Sequence, residues 1–275
     1  MRQIWQAALP INPPKAKMFA QERLKAVVSA VRERRRMTFA GLQEVIPASP
    51  ATIRRDLAEL EKSKEIIRVH GGVMDPRYVR SEITFDERMQ RNVAAKRAIA
   101  ALAATFVPSG ASVLIDAGST CLEAGKALLG RKDVRIITHS VTLVEAARQG
   151  EAELLCVGGE LRKISGALTG GQALGILATI RADLAFIGAS GLDAEEGCSN
   201  TQLFEAEMTK AILSRAKRKI LLADSTKWER PSIIRFAGWS ELDDWITDKP
   251  RTKKETRTLK SLGLNLHVAG VGRQG

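Results

Sequence analysis

Cysteine and histidine are both scarce in this 275-residue chain. The three cysteines, Cys121, Cys156 and Cys198, are an odd number at wide spacing, and the histidines are His70, His139 and His267. That set supports neither a disulfide framework nor the paired spacing of a zinc site. The thiols are therefore read as reduced, and no metal or other cofactor is expected. Long apolar runs are missing too. None approaches the roughly 18 to 20 residues that cross a bilayer, and the first residues lack the apolar core of a secretory signal. The expectation is a soluble, cytoplasmic protein with no membrane partner.

Positive charge is plentiful, and it is unevenly spread. The net charge is +12, made of +8 over residues 1–80, −1 over residues 81–250 and +5 over residues 251–275. A basic module joined to a neutral one is the electrostatic footprint of polyanion binding combined with other work. The length accommodates a small domain and one of about 150 to 170 residues, each with its own core.

The basic module carries the most specific signal. Ser49 suits an N-cap, because its hydroxyl can accept from a free amide of the first turn, and Pro50 suits the first helical position. With Ile53, Leu57 and Leu60 as the buried stripe, the helical period turns Ala51, Arg55, Ala58 and Lys62 outward, with Thr52 and Arg54 on the shoulders. Small residues beside guanidinium forks suit a helix lying in a major groove, where side chains reach base edges and phosphates. Upstream, Leu24, Val27, Val28 and Val31 predict a first amphipathic helix, and Thr38 caps a short second one bearing Leu42, Val45 and Ile46. Downstream, Ile67 and Val69 alternate with Arg68 and His70 before Gly71-Gly72, which predicts a strand and turn forming a wing. The DNA-contacting residues expected are Ser49, Ala51, Thr52, Arg54, Arg55, Arg68 and His70. The plainer alternative, a surface helix with solvated charges, does not account for these flanking elements.

The run Thr52-Ile53-Arg54-Arg55-Asp56-Leu57, then Leu60-Glu61, then Arg68-Val69-His70-Gly71-Gly72, resembles the DeoR family of bacterial transcriptional regulators. The resemblance covers roughly residues 19 to 250. Two features depart from the family pattern: Lys64 stands where a Gly is usual, and the loop before the helix reads Pro47-Ala48-Ser49-Pro50. Residues 1–17 have no counterpart in it. They are read either as a mis-assigned start preceding Met18 or as a flexible arm that adds Arg2, Lys15 and Lys17 to the DNA contacts.

From residue 93 short apolar runs alternate with helical patterns, the mark of a mainly parallel sheet covered by helices. The runs at 112–115, 134–137, 153–157, 184–187 and 219–223 end in polar loops rich in Gly, Ser and Thr. The carboxyl ends of parallel strands share one edge, so these loops should converge on a ligand crevice. Gly118, Gly158, Gly159 and Gly188 can bring amides close to an anion, and Ser119, Thr120, Thr138 and Ser140 supply hydroxyls near helix N-termini. Asp116 and Asp224 suit sugar hydroxyls, while Lys227 can neutralise a phosphate or order Asp116. A negatively charged polyol fits this mixture.

The same loops, with Gly158-Gly159-Glu160-Leu161-Arg162 and Glu205 through Lys210, resemble the family's effector domain, itself similar in fold to ribose phosphate isomerases and CoA transferases. The resemblance implies a sensor of phosphorylated sugars, with Glu205 added to its site. Glu205 and Lys210 lie five residues apart, so they need not share a helix face. His139 and Cys121 depart from the usual Asn and the usual Thr or Ser.

The expected fold is therefore α/β: an N-terminal winged helix-turn-helix domain joined to a larger, mainly parallel α/β sheet domain. Its divisions are residues 1–17 as arm or false start, 18–74 as the DNA-binding domain, 75–92 as linker, 93–250 as the sensing domain and 251–275 as a basic C-terminal tail. The function read from this is a non-enzymatic transcriptional regulator, a repressor of carbohydrate catabolism genes. A sugar phosphate would set its affinity for a double-stranded operator. An isomerase using Asp116, Glu205, Asp224 and Lys227 is the competing reading, although such an enzyme has no need of a basic winged helix. Pairing on half-sites implies a homodimer or homotetramer.

Overall fold

The computed structural model describes residues 18–34, 36–69, 72–76 and 84–270. The chain divides into two compact units, Met1–Ser81 and Glu82–Gly275. The first runs α1 (Ala20–Arg34), β1 (Arg36–Thr38), α2 (Phe39–Val45), α3 (Pro50–Lys62), β2 (Ile67–Val69) and β3 (Gly72–Met74). The three helices close over one core of Val27, Val31, Leu42, Ile53, Leu57 and Leu60. Each such side chain contributes about 1.5 to 3 kcal/mol by leaving water.

Both expected caps are present: Thr38 accepts from the Gly41 amide at the start of α2, and Ser49 accepts from the Thr52 amide at the start of α3. Antiparallel pairing of β2 with β3, and of β3 with β1, makes the wing a three-stranded sheet in the order β1-β3-β2. Gly72 is required by that third strand, since a Cβ there would stand 2.2 Å from the Met37 carbonyl oxygen. The glycine expected only as a turn residue thus lets two backbones meet.

The end of α3 explains what Lys64 does in place of glycine. The Glu65 amide donates to the Leu60 carbonyl and the Lys64 amide to the Glu61 carbonyl, closing a Schellman turn. Such a turn needs a left-handed residue, and Lys64 supplies it with φ of 59°. A side chain in that conformation costs about 1 kcal/mol relative to glycine.

The second unit opens with α4 (Phe85–Gln90) and α5 (Val93–Ala104), and then winds through β4 (Ser112–Ile115), α6 (Ser119–Leu128), β5 (Arg135–Thr138), α7 (Val141–Ala147) and β6 (Glu153–Cys156). A hairpin of β7 (Glu160–Arg162) and β8 (Ala167–Thr169) follows, then α8 (Gly171–Thr179), β9 (Ala182–Ile187), β10 (Gly191–Asp193), β11 (Gly197–Asn200), α9 (Leu203–Ser214) and β12 (Ala216–Leu222). The unit continues with β13 (Ile234–Ala237), β14 (Asp244–Thr247), α10 (Lys253–Ser261) and β15 (Asn265–Val268).

Seven strands form one parallel sheet in the order β15-β14-β12-β9-β4-β5-β6. All five expected strands belong to it. Both faces are buried, so successive residues serve different cores: Val113 and Ile115 pack with α5 and α6, whereas Leu114 faces the cluster that holds α8, α9 and the tryptophans. Chain order reverses at one place. From β4 the chain steps outward to β5 and β6, while β9, β12, β14 and β15 step outward on the other side. The switch point between β4 and β9 is where open sheets of this kind leave a crevice.

Two expected divisions differ from the structure. Residues 251–275 were expected as a basic tail, but Lys253–Ser261 is helical and Asn265–Val268 pairs in parallel with β14 as the edge of the sheet. Basic residues dominate that stretch, whereas Leu259 and Leu264 sit in the core. A Thr252–Glu255 capping box starts the helix. The expected linker 75–92, read as turn-rich and then helical, does become helical at Phe85–Gln90, but Phe85 is buried in a core of the second unit and so belongs to that unit. The expected arm, residues 1–17, lies outside the described residues.

Candidate functional sites

The outer face of α3 is built as the helical period requires. Ala51, Arg54 and Arg55 are exposed, and Thr52 is half-buried with its hydroxyl 2.8 Å from that of Ser49. Ser49 is thereby committed to capping. Arg54 lies over the Phe39 ring at 5.1 Å, a cation–π contact that orients the guanidinium from α2. No partner among the described residues engages Arg55. On the wing, Arg68 is half-exposed and stands 3.8 Å from Glu61, while His70 lies outside the described residues. The residue behind this face is Asp56. It is buried, and Arg23 of α1 holds it with Nε donating to Oδ2 at 2.5 Å and Nη2 donating to Oδ1 at 3.1 Å. That fork locks α3 onto α1 and fixes the angle at which the basic face is presented.

In the second unit, Asp116 occupies the switch point. Its Oδ2 accepts from the Gly188 amide at 3.1 Å and its Oδ1 from the Ala117 amide at 2.8 Å. The loops after β4 and β9 are therefore joined through one carboxylate. The loop after β5 joins them as well, since His139 Nε2 lies 2.9 Å from Asp116 Oδ1 and Nδ1 lies 3.0 Å from the Leu168 carbonyl oxygen. Nε2 also lies 3.2 Å from the Ala117 amide nitrogen, so the ring bridges the loop after β4 and the β8 backbone. Burial pushes the Asp116 carboxyl up, but the His139 contact and then the Gly188 and Ala117 amides outweigh it and hold it below the usual carboxylate range. The surrounding loops thus favour the anionic form of Asp116.

Next to Asp116, α6 begins at Ser119 with Gly118 as its N-cap, and no side chain caps it. Its first-turn amides, and the Ser119 and Thr120 hydroxyls, offer donors to an anion. Thr138 and Ser140 are differently placed. The Thr138 hydroxyl donates to the Ile115 carbonyl and accepts from the Ser140 amide, and the Ser140 hydroxyl caps α7 by accepting from the Leu143 amide. Both are buried and committed to the scaffold. Gly158 and Gly159 follow β6 with φ of 77° and 115°. At Gly159 a Cβ would stand 2.6 Å from the Thr169 carbonyl oxygen, so this glycine lets the loop lie against the end of β8.

Asp224 ends β12 and caps the turn that contains Lys227. Its Oδ1 accepts from the Thr226 amide at 3.0 Å, the Thr226 hydroxyl at 2.5 Å and the Asn92 amide nitrogen at 3.2 Å. Glu205, at the start of α9, forms an ion pair with Arg162 of β7 at 3.0 Å. The structure therefore joins Asp116 and Gly188 directly, with Gly118 and the start of α6 beside them. Asp224 and Lys227 stand two strands away at the end of β12, and Glu205 is tied to the β7–β8 hairpin.

Four residues of these clusters escaped the sequence reading: His139, Asn92, Lys96 and Arg162. His139 stood in a recognised loop but was counted only as a departure from the family. Lys96 had a usable signal. It shares its helix face with Ile99, Ala100 and Ala103, which are buried, so the period places a cation on an apolar face. Asn92 and Arg162 act across long sequence separations that no local pattern encodes.

The two units match two described domains. Residues 23–76 match the DeoR-like helix-turn-helix domain, and residues 91–249 match the DeoR C terminal sensor domain. The HTH-type transcriptional regulator GlpR of Haloferax volcanii is 32% identical over 93% of this chain and 100% of that protein. The glycerol-3-phosphate regulon repressor of Escherichia coli K12 is 28% identical over 83% of this chain and 91% of that protein. Among solved structures, ribose 5-phosphate isomerase A of Methanocaldococcus jannaschii aligns with 49% of this chain and 54% of its own, at 20% identity and a TM-score of 0.36. With a winged helix at its start, and with the sensor domain and its full-length relatives matching along its length, this chain belongs to the DeoR family of DNA-binding transcriptional regulators.

Proposed function

We propose that this chain is a repressor of carbohydrate catabolism genes whose affinity for a double-stranded operator is set by a phosphorylated sugar bound in the second unit. The observation that carries this reading is Asp116, an anion fixed at the switch point of the sheet beside the uncapped start of α6. A carboxylate for hydroxyls next to amides for a phosphate is the donor set a phosphorylated polyol requires. The E. coli relative, named for the glycerol-3-phosphate regulon, is consistent with that ligand class. The effector residues of this reading are Asp116, Gly118, Ser119, Thr120, Gly188, Asp224 and Lys227, with Thr138, Ser140, Gly158, Gly159 and Glu205 shaping the surrounding loops. In the DNA interface Arg55 and Thr52 read the groove, Arg54 and Arg68 grip the backbone, and two or four copies act together in the cytoplasm on paired half-sites.

Fluorescence anisotropy on labelled operator tests both halves. Arg55→Ala is expected to weaken specific binding by about 1 to 3 kcal/mol and to relax preference at one base pair. Operator affinity unchanged in the double variant Arg54→Ala, Arg55→Ala would remove α3 from the interface. Lys227→Ala is expected to abolish the response to phosphorylated sugars while leaving ligand-free operator binding intact, because coupling requires differential ligand binding to two states. An unchanged response midpoint in that variant would remove Lys227 from the site. Turnover of the ligand by the natural protein would favour the isomerase reading instead.

A further inference from the structure

The β7–β8 hairpin bonds both to the cluster around Asp116 and to the helix with which the second unit begins. It is a two-stranded sheet of its own, separate from the seven-stranded one. A lone hairpin is marginally stable, so the anchors around it set its position. Along β8 the Leu168 carbonyl oxygen lies 3.0 Å from His139 Nδ1, and the Leu168 amide donates to the His139 carbonyl at 2.8 Å. Two residues further on, the Val141 amide donates to the Gly166 carbonyl at 3.0 Å. On the outer strand, Arg162 pairs with Glu205 of α9. At the turn, the Ile164 carbonyl accepts from the Phe85 amide at 2.9 Å. Among the described residues this is the only backbone hydrogen bond that joins α4 to another element. The far end of α4 is held separately, by Lys96 of α5, which is buried with Asp224 among its charged neighbours and donates through Nζ to the Arg88 carbonyl.

These contacts form one continuous route. Asp116 Oδ1 faces His139 Nε2, the same ring faces the Leu168 carbonyl, and the hairpin turn meets Phe85, which opens α4 three residues beyond Glu82, where the second unit begins. A ligand hydroxyl that donates to Asp116 draws on the carboxylate that also faces His139. The ring is buried, and close packing leaves it little freedom to absorb a displacement, so a change at Asp116 passes to β8. We infer that the β7–β8 hairpin is the element that couples the effector site to the DNA-binding domain, with His139 as its positioning residue at one end and the Phe85 amide as its contact at the other. The inference rests on the sugar-phosphate reading above and supplies the route by which that ligand alters operator affinity. A shift of the hairpin moves the start of α4, the end of that helix from which the chain leads back to the winged helix, while Lys96 holds the other end in place.

The test is operator affinity of the full-length protein, read by fluorescence anisotropy without ligand and with saturating glycerol 3-phosphate or ribose 5-phosphate, so that ligand affinity does not enter the comparison. Phe85 is the first residue of α4, where proline is tolerated, and Thr84 before it already has the extended ψ of 158° that a following proline requires. Phe85→Pro therefore removes the N–H that meets Ile164, Phe85→Leu keeps it, and both lose the ring. In the natural protein one of the ligands is expected to change operator affinity by about 5- to 150-fold. That change is expected to shrink by about threefold or more in Phe85→Pro, the worth of one hydrogen bond, and to persist in Phe85→Leu, with the same ligand-free operator affinity in both. His139→Gln places one amide nitrogen where the ring had two nitrogens, so it cannot meet Asp116 and the Leu168 carbonyl together, and it is expected to shrink the change likewise. Equal responses in Phe85→Pro and Phe85→Leu, whether full or lost, overturn the inference and leave the sugar-phosphate reading standing. A full response in His139→Gln does the same. If neither ligand changes the operator affinity of the natural protein, both the inference and the reading fall.

Discussion

Both units bury an aspartate, and the two are held by different kinds of partner. Asp56 is gripped by the Arg23 guanidinium, a full opposite charge that spans both carboxylate oxygens and ties α3 to α1. Asp116 is held by two backbone amides and a histidine ring, partners that fix its direction at the open end of a parallel sheet. The first arrangement joins two helices. The second joins three loops at the switch point of the sheet.

The largest expected effect breaks the first arrangement. Asp56→Ala leaves the Arg23 charge without its partner, and chemical denaturation should show the first unit destabilised by about 3 kcal/mol or more. Replacing both partners together, as Arg23→Met with Asp56→Leu, should restore most of that loss, since a well-packed apolar pair removes the stranded charge. Failure of the double variant to recover would mean that the fork also orients α3 in a way packing cannot replace.

An intermediate effect is expected at the other aspartate. Asp116→Asn leaves one of the Ala117 and Gly188 amides facing an NH2 group, which costs about 1 to 3 kcal/mol. The pH dependence separates the two proteins further. Because the folded Asp116 carboxyl is held below its unfolded value, its stabilisation is fully present above the ordinary carboxylate range and is lost as pH falls through the folded value. Acid titration of stability should therefore be shallower for Asp116→Asn than for the natural protein. Parallel curves would mean that Asp116 does not titrate on its own.

The smallest effect sharpens the comparison from the side of the recognition helix. Lys64→Gly relieves a left-handed backbone at the end of α3 and is expected to stabilise the first unit by about 1 kcal/mol, read as a rise in denaturation midpoint with unchanged slope. A loss of stability would show that the Lys64 side chain is worth more than the strain it carries.

Much of the first unit was legible because its signals are local. A cap at Ser49, a proline at position 50 and apolar residues spaced by the helical period place α3 within a few residues, and the outward face follows from the same period. The wing strand β2 followed from alternation, but β1 and β3 did not, because neither carries an alternating pattern bounded by turn residues. In the second unit the strand interiors were equally legible as short apolar runs. The edge strand β15 was hidden under a basic composition. His139, Asn92 and Lys96 took their roles from neighbours 23, 132 and 8 residues away in the chain.

Amino-acid order alone determined the two-unit plan, the basic recognition face and the polar loops at the ends of the strands, since periodicity, capping and charge are properties of adjacent residues. Only the tertiary structure decided which of those loops share a carboxylate, which hydroxyls are consumed by the scaffold, and where a lysine is buried beside an aspartate. The physical reason is that a parallel sheet orders its strands by crossover rather than by sequence. The loops that meet at its switch point are brought together by packing on both faces, and nothing local to any one of them records its neighbour.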